Sequence, residues 1–96
     1  MIKIQISDNK ITITGHANFD DYGKDIVCAA VSATVITTVN GILSIDDKAL
    51  FVEEGKTLTV EILKHNDTID KLINNMINLL EELKNDYKDN IDIRRC

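Results

Sequence analysis

Residues 26–43 read IVCAAVSATVITTVNGIL, and this run constrains the fold more than any other part of the chain. Ala, Val and small polar residues occupy nearly every direction around a helix built from it. A helix that is apolar almost all round predicts burial on more than one side. Its β-branched residues lower intrinsic helix propensity, so packing must hold it. Asp25 stands where the N-cap belongs, because its carboxylate can accept from an N–H left unpaired in the first turn. Asn40-Gly41 offers an end, and a further turn through Ile42 and Leu43 is the alternative.

The flanking segments supply what such a helix packs on. Ile2, Ile4 and Ile6 alternate with polar residues, as do Ile11 and Ile13. Ser7-Asp8-Asn9-Lys10 between them is turn chemistry, so the two segments predict an antiparallel hairpin ending at Gly15. Residues 15–24 carry loop formers and no periodicity. Segments 49–53 and 57–63 predict a second hairpin about Glu54-Gly55-Lys56. After a cap at Asn66, Asp67 or Thr68, Ile69, Leu72, Ile73, Met76, Ile77, Leu80 and Leu83 recur at three-four spacing, which makes a one-faced amphipathic helix. Ile91 and Ile93 alternate in a last short strand. The expected fold is α+β, of order ββαββαβ. Its mostly antiparallel sheet should carry one central buried helix between it and a second amphipathic helix stacked on that one.

Composition bounds the function. The chain has 96 residues, enough for one domain over 1–96 with one core. A balance of 44% hydrophobic and 28% charged residues is globular rather than disordered. A net charge of −5 argues against direct nucleic acid binding. No apolar run of eighteen residues is evident, so no membrane span is expected. MIKIQIS reads as a strand rather than a secretion signal, which makes the cytoplasm the expected compartment. Two cysteines, one of them residue 96, are too few for a disulfide framework.

Cys28 and His16 carry the chemistry the chain can offer. With Asp25 as the cap, Cys28 falls in the first helical turn. Unpaired N–H groups and the helix dipole place partial positive charge there. Such a setting lowers a cysteine pKa from ~8.5 into the range ~3.5–7.5 and so favours the nucleophilic thiolate. The same N–H groups can hold the oxyanion formed on a carbonyl under attack. His16 follows the second strand, where an imidazole can take the thiol proton and later protonate the leaving amine. Gly15 and Gly23 would let the intervening loop move as substrate enters. A plainer alternative stands beside this one. Cysteine is among the most buried residue types, VCAAVSA reads as packed core, and a loop histidine is ordinarily just solvated.

Other polar residues have bland readings. Ser32, one turn after Cys28, points at the same mouth or bonds its own backbone. His65 reads as local capping, Cys96 as an exposed thiol, and Asp20, Asp21 and Asp25 as turn and cap residues. No Cys/His spacing suits zinc. Neither a phosphate-binding glycine loop nor a nucleophile elbow is present, and no cofactor is expected.

GHA at 15–17 followed by YGKDIVCAAVSA at 22–33 resembles the ribosomal-processing cysteine protease family, long labelled a domain of unknown function. The likeness runs the length of the chain. It implies a homodimeric cytoplasmic endopeptidase with a Cys/His dyad, His16 as general base and Cys28 as nucleophile, with Asp25, Ser32 and the loop around Gly23 in support. The implied substrate is the N-terminal extension of a large-subunit ribosomal protein. The rival expectation is a non-catalytic ribosome-assembly or protein-binding module that docks through residues 17–24.

Overall fold

Alternation fixes the sheet. In β1 (Ile2–Ile6) and β2 (Lys10–Thr14) the isoleucines are buried while Lys3, Gln5 and Lys10 face solvent. The computed structural model describes residues 1–15 and 22–96, and of residues 22–25 the backbone alone. After β2 the described elements are α1 (Tyr22–Ile45), β3 (Leu50–Glu53), β4 (Thr57–Ile62), α2 (Asp67–Asp86) and β5 (Ile91–Arg95). This is the expected order, and the fold is α+β.

The strands lie in the order β3-β4-β2-β1-β5. The β1–β2, β2–β4 and β3–β4 pairs are antiparallel, and β1–β5 is parallel. Register puts the apolar positions of the sheet, Phe51 excepted, on one face. Ile4 lies opposite both Ile13 and Ile93, Ile13 opposite Leu58, and Val60 opposite Ile11 and Val52. Because side chains alternate with a period of two, a single slip would turn this set out to water.

Both helices cover that face. α2 follows its sequence pattern: Ile69, Ile73, Met76, Ile77 and Leu80 are buried. Asn66 is its N-cap, with Oδ1 accepting from the Ile69 N–H at 2.9 Å. Asp67 and Asp70 in the first turn and Lys84 in the last complement the helix dipole.

α1 departs from expectation in two ways. It begins at Tyr22, so Asp25 is its fourth residue rather than its cap, and Gly23 lies in its first turn rather than in a loop. At its other end it takes the longer of the two alternatives, past Asn40-Gly41 to Ile45, because Ile42 is fully buried and extends the apolar stripe through the glycine. That packing outweighs the cost of about 1 kcal/mol for an interior glycine. Finally, α1 buries one stripe only, formed by Val27, Val31, Val35, Val39 and Ile42. α2 packs against α1 yet also reaches the sheet, so α1 keeps an outer side on which Ile26 and Ile36 are exposed.

The same helix bears on the expectation about membranes. Ile26–Ile45 has a mean hydropathy of 2.0 and passes, by length and composition, as a helix able to cross a membrane, with 28% of the stretch buried. Ser, Thr and Asn interrupt the apolar run without adding charge, which hides its length from a search for unbroken apolar residues. Here its valines and Ile42 belong to the same core as the sheet isoleucines and α2.

Candidate active site

Two ends of the sheet need to be distinguished. At one, Asp46 just after α1 accepts from the Lys64 Nζ just after β4 at 3.0 Å, and the Ile62 N–H donates to the Asn9 carbonyl of the β1–β2 turn. The C-terminal end of α1 is thus anchored there. Cys28 is near the other end of this 24-residue helix, some 25 Å away at about 1.5 Å per residue.

At that second end, Gly15 closes β2. Its φ is +85°, and a Cβ built on it would lie 2.6 Å from the carbonyl oxygen of Met1. The left-handed backbone and the close approach both require glycine. The expectation for Gly15 was freedom of movement. Its described role is steric: it seats the chain against the start of β1 immediately before position 16. His16 itself lies outside the described residues, as do Asp20, Asp21 and residues 17–19 of the expected loop.

Cys28 is the seventh residue of α1, in the second turn rather than the first. It is partly accessible and packs beside the core, so the sulfur is not sealed inside. Helical side chains lean toward the N-terminus, which brings Sγ back toward the first-turn N–H groups. The dipole fades within one turn, so these donors act on the thiol less strongly than a first-turn placement would allow. Ser32, one turn on, faces the same way, with Oγ 4.0 Å from Sγ, and either atom can donate. The two side chains are therefore side by side on one flank of α1. Thr34 and Thr38 make the alternative bond, each donating to the carbonyl four residues back, at 2.8 and 3.0 Å. Asp25 is three positions before Cys28 along the backbone of α1.

The remaining sequence candidates lie elsewhere. His65, expected to cap α2, instead bridges it to the β1–β2 turn, with Nδ1 2.8 Å from Asp70 and Nε2 2.6 Å from the Asn9 side-chain oxygen. Cys96 is an exposed thiol whose N–H donates to the Ile6 carbonyl. Both border a cavity of about 390 Å³, together with Ser7, Asp8 and Arg95. That cavity is at the end of the sheet opposite Cys28. Among the described residues no group of three His, Cys, Asp or Glu is placed to hold a metal ion.

An accessible thiol near the N-terminal end of a core helix fits the class of cysteine hydrolases. The chain belongs to the family described as cysteine protease Prp, whose model matches residues 1–92. It is 33% identical over 89 residues to the ribosomal processing cysteine protease Prp of Bacillus subtilis, covering 84% of this chain and 80% of that one. Against its counterpart in Staphylococcus aureus the identity is 29% over 101 residues, with 95% of each covered. The S. aureus protease in complex with a substrate peptide has the same fold, with a TM-score of 0.91 over the whole of both chains at 24% identity. A second structure of it, with a covalently linked product peptide, gives 0.87 at 25%. The present chain is a cysteine protease, which removes the reading as a non-catalytic module.

The signal missed in the sequence was where α1 starts. The Asp20-Asp21 pair before Tyr22 offers acidic residues at a helix entrance one turn earlier than Asp25.

Proposed function

We propose that this protease removes the N-terminal extension of a large-subunit ribosomal protein, with Cys28 as nucleophile and His16 as general base. The observation that carries the assignment is Cys28 itself: a partly accessible thiol on α1, faced by Ser32 Oγ at 4.0 Å, in a chain of a cysteine protease family. His16 directly follows Gly15, which is seated at the same end of the sheet as Cys28. Relatives named for ribosomal processing support the substrate. A covalently linked product on one of them supports a covalent intermediate.

In this mechanism His16 takes the thiol proton and the thiolate adds to the scissile carbonyl. The tetrahedral intermediate collapses with loss of the amine, which receives the proton from His16, leaving a thioester on Cys28. Water, deprotonated by His16, then releases the acid and restores the thiol. Ser32 donates to sulfur and keeps it oriented. Asp25 and Gly23, both in the first turn of α1, support the approach to the site. No metal or cofactor enters this scheme.

The enzyme works as a homodimer in the cytoplasm, without binding nucleic acid or membrane directly. The outer side of α1, with Ile26 61% exposed and Ala29 and Ala33 also exposed, supports a partner copy there. Ile26→Glu should shift the sedimenting species toward monomer. For the chemistry, a peptide spanning the extension is incubated with the wild type, Cys28→Ala and His16→Ala. Cleavage should fall by at least about 10³-fold in Cys28→Ala, with an unchanged circular dichroism spectrum. Full cleavage by that variant would remove the assignment.

A further inference from the structure

The flank of α1 that bears Cys28 does not end at the catalytic centre. Positions 28, 32, 36, 39 and 43 succeed one another at steps of three or four, so they form one line along the helix. Its lower half borders a groove of about 130 Å³, lined from α1 by Val35, Ile36, Val39, Asn40 and Leu43. The opposite wall is Val52 and Glu54, with Leu58 and Val60 of β4 below. The floor is apolar.

Beside the groove runs β3, an edge strand that, among the described residues, pairs with β4 alone. A strand added along the open side of β3 would direct alternate side chains to the helix-bearing face, the face of Leu50 and Val52. Those side chains would enter the groove. Glu54 lines its upper rim and is exposed. Its carboxylate suits a segment carrying Lys or Arg next to its apolar anchor.

We propose that this groove is a specificity subsite that takes an apolar side chain of the extended substrate at a distance from the bond being cut. The proposal rests on Cys28 being the nucleophile. The line from Cys28 to Val35 and on to Val39 spans about 10–17 Å at 1.5 Å per residue. An extended peptide rises about 3.3 Å per residue, so the anchoring side chain lies about three to five residues from the scissile bond. Continuity with the nucleophile along one helix flank distinguishes this occupant from a second copy of the chain.

The test compares two peptides around one scissile bond, a short one ending within two residues on each side and a long one extended on both. The measured quantity is the ratio of kcat/KM for long over short. For the wild type we expect a ratio of at least 10, carried by KM. Val52→Thr keeps the side-chain shape, adds a hydroxyl to the groove, and should bring the ratio down about threefold or more. Glu54→Lys should do so only when the extension carries a basic residue. A wild-type ratio of one, or a ratio unaltered in both variants, overturns the proposal. So does a change of sedimentation coefficient in Val52→Thr with equal losses on both peptides, which would give the groove to a second copy. Failure of wild-type enzyme to cut either peptide, or cutting that survives Cys28→Ala, would instead count against the nucleophile assignment.

Discussion

α1 and α2 share one face of the sheet, but packing within the chain completes only α2. Its buried residues form one stripe and its charged residues cover the remainder. α1 buries a stripe of similar width, yet its other sides hold Ile26, Ala29, Ala33 and Ile36 rather than charge. The contrast separates a structural helix from a working one. α2 supplies core and closes the fold. α1 supplies core on one side, the thiol and its hydroxyl on a flank, and apolar surface outside. A helix with three tasks has few positions left for charge.

The sharpest way to test that contrast is to damage each helix. Met76 of α2 is fully buried, and Met76→Ala should cost about 2–5 kcal/mol in urea unfolding. Ile36 on the exposed side of α1 should change the stability of the single chain by no more than about 0.5 kcal/mol as Ile36→Ser. Equal losses would mean that α1 is not the exposed partner described. Next in size is the entry to α1. Gly15→Ala combines a positive φ with a contact to the Met1 oxygen that no side chain can make. It should destabilise by about 2 kcal/mol or more, with peptide cleavage falling alongside.

Smaller effects sharpen the comparison. A Cβ on Gly41 meets nothing within 4 Å, so Gly41→Ala should stabilise α1 by about 0.5–1 kcal/mol in thermal unfolding. A loss there would mean the glycine has a packing task. The smallest expected effect is at the far end of α1, where the Lys64 ammonium, and then the Lys48 N–H, hold the Asp46 carboxyl below its usual range. A depressed carboxylate pKa adds stability above the unfolded value and loses it as pH falls through the folded one. Asp46→Asn should therefore lower the urea midpoint slightly at pH 7, with the difference closing below about pH 4. A difference that persists in acid would point to packing rather than charge.

Legibility differed between the helices for the same reason that their tasks differ. Asn66 and the three-four spacing of α2 state both where it starts and which way it faces. α1 starts four residues before Ile26, its expected first residue, which moves Cys28 from the first turn to the second. Asp25 is an acceptable cap by type, and propensity alone does not separate it from the acidic pair before Tyr22. The absence of charge along residues 26–45 reads as burial on several sides. The structure has one buried stripe there, with Ile26 and Ile36 exposed beside it.

Alternation, turn residues and cap chemistry determined the elements, their order and the single apolar face of the sheet, because each of these is set by neighbours within a few positions. Cys28 stood out through local sequence alone. Only the tertiary structure decided that β5 lies parallel beside β1, that Gly15 is pressed on the Met1 carbonyl, that Ser32 faces the thiol, and that the flank of α1 bearing Cys28 leads into a groove beside β3. Those are relations between residues far apart in the chain, fixed by the simultaneous packing of two helices on one sheet.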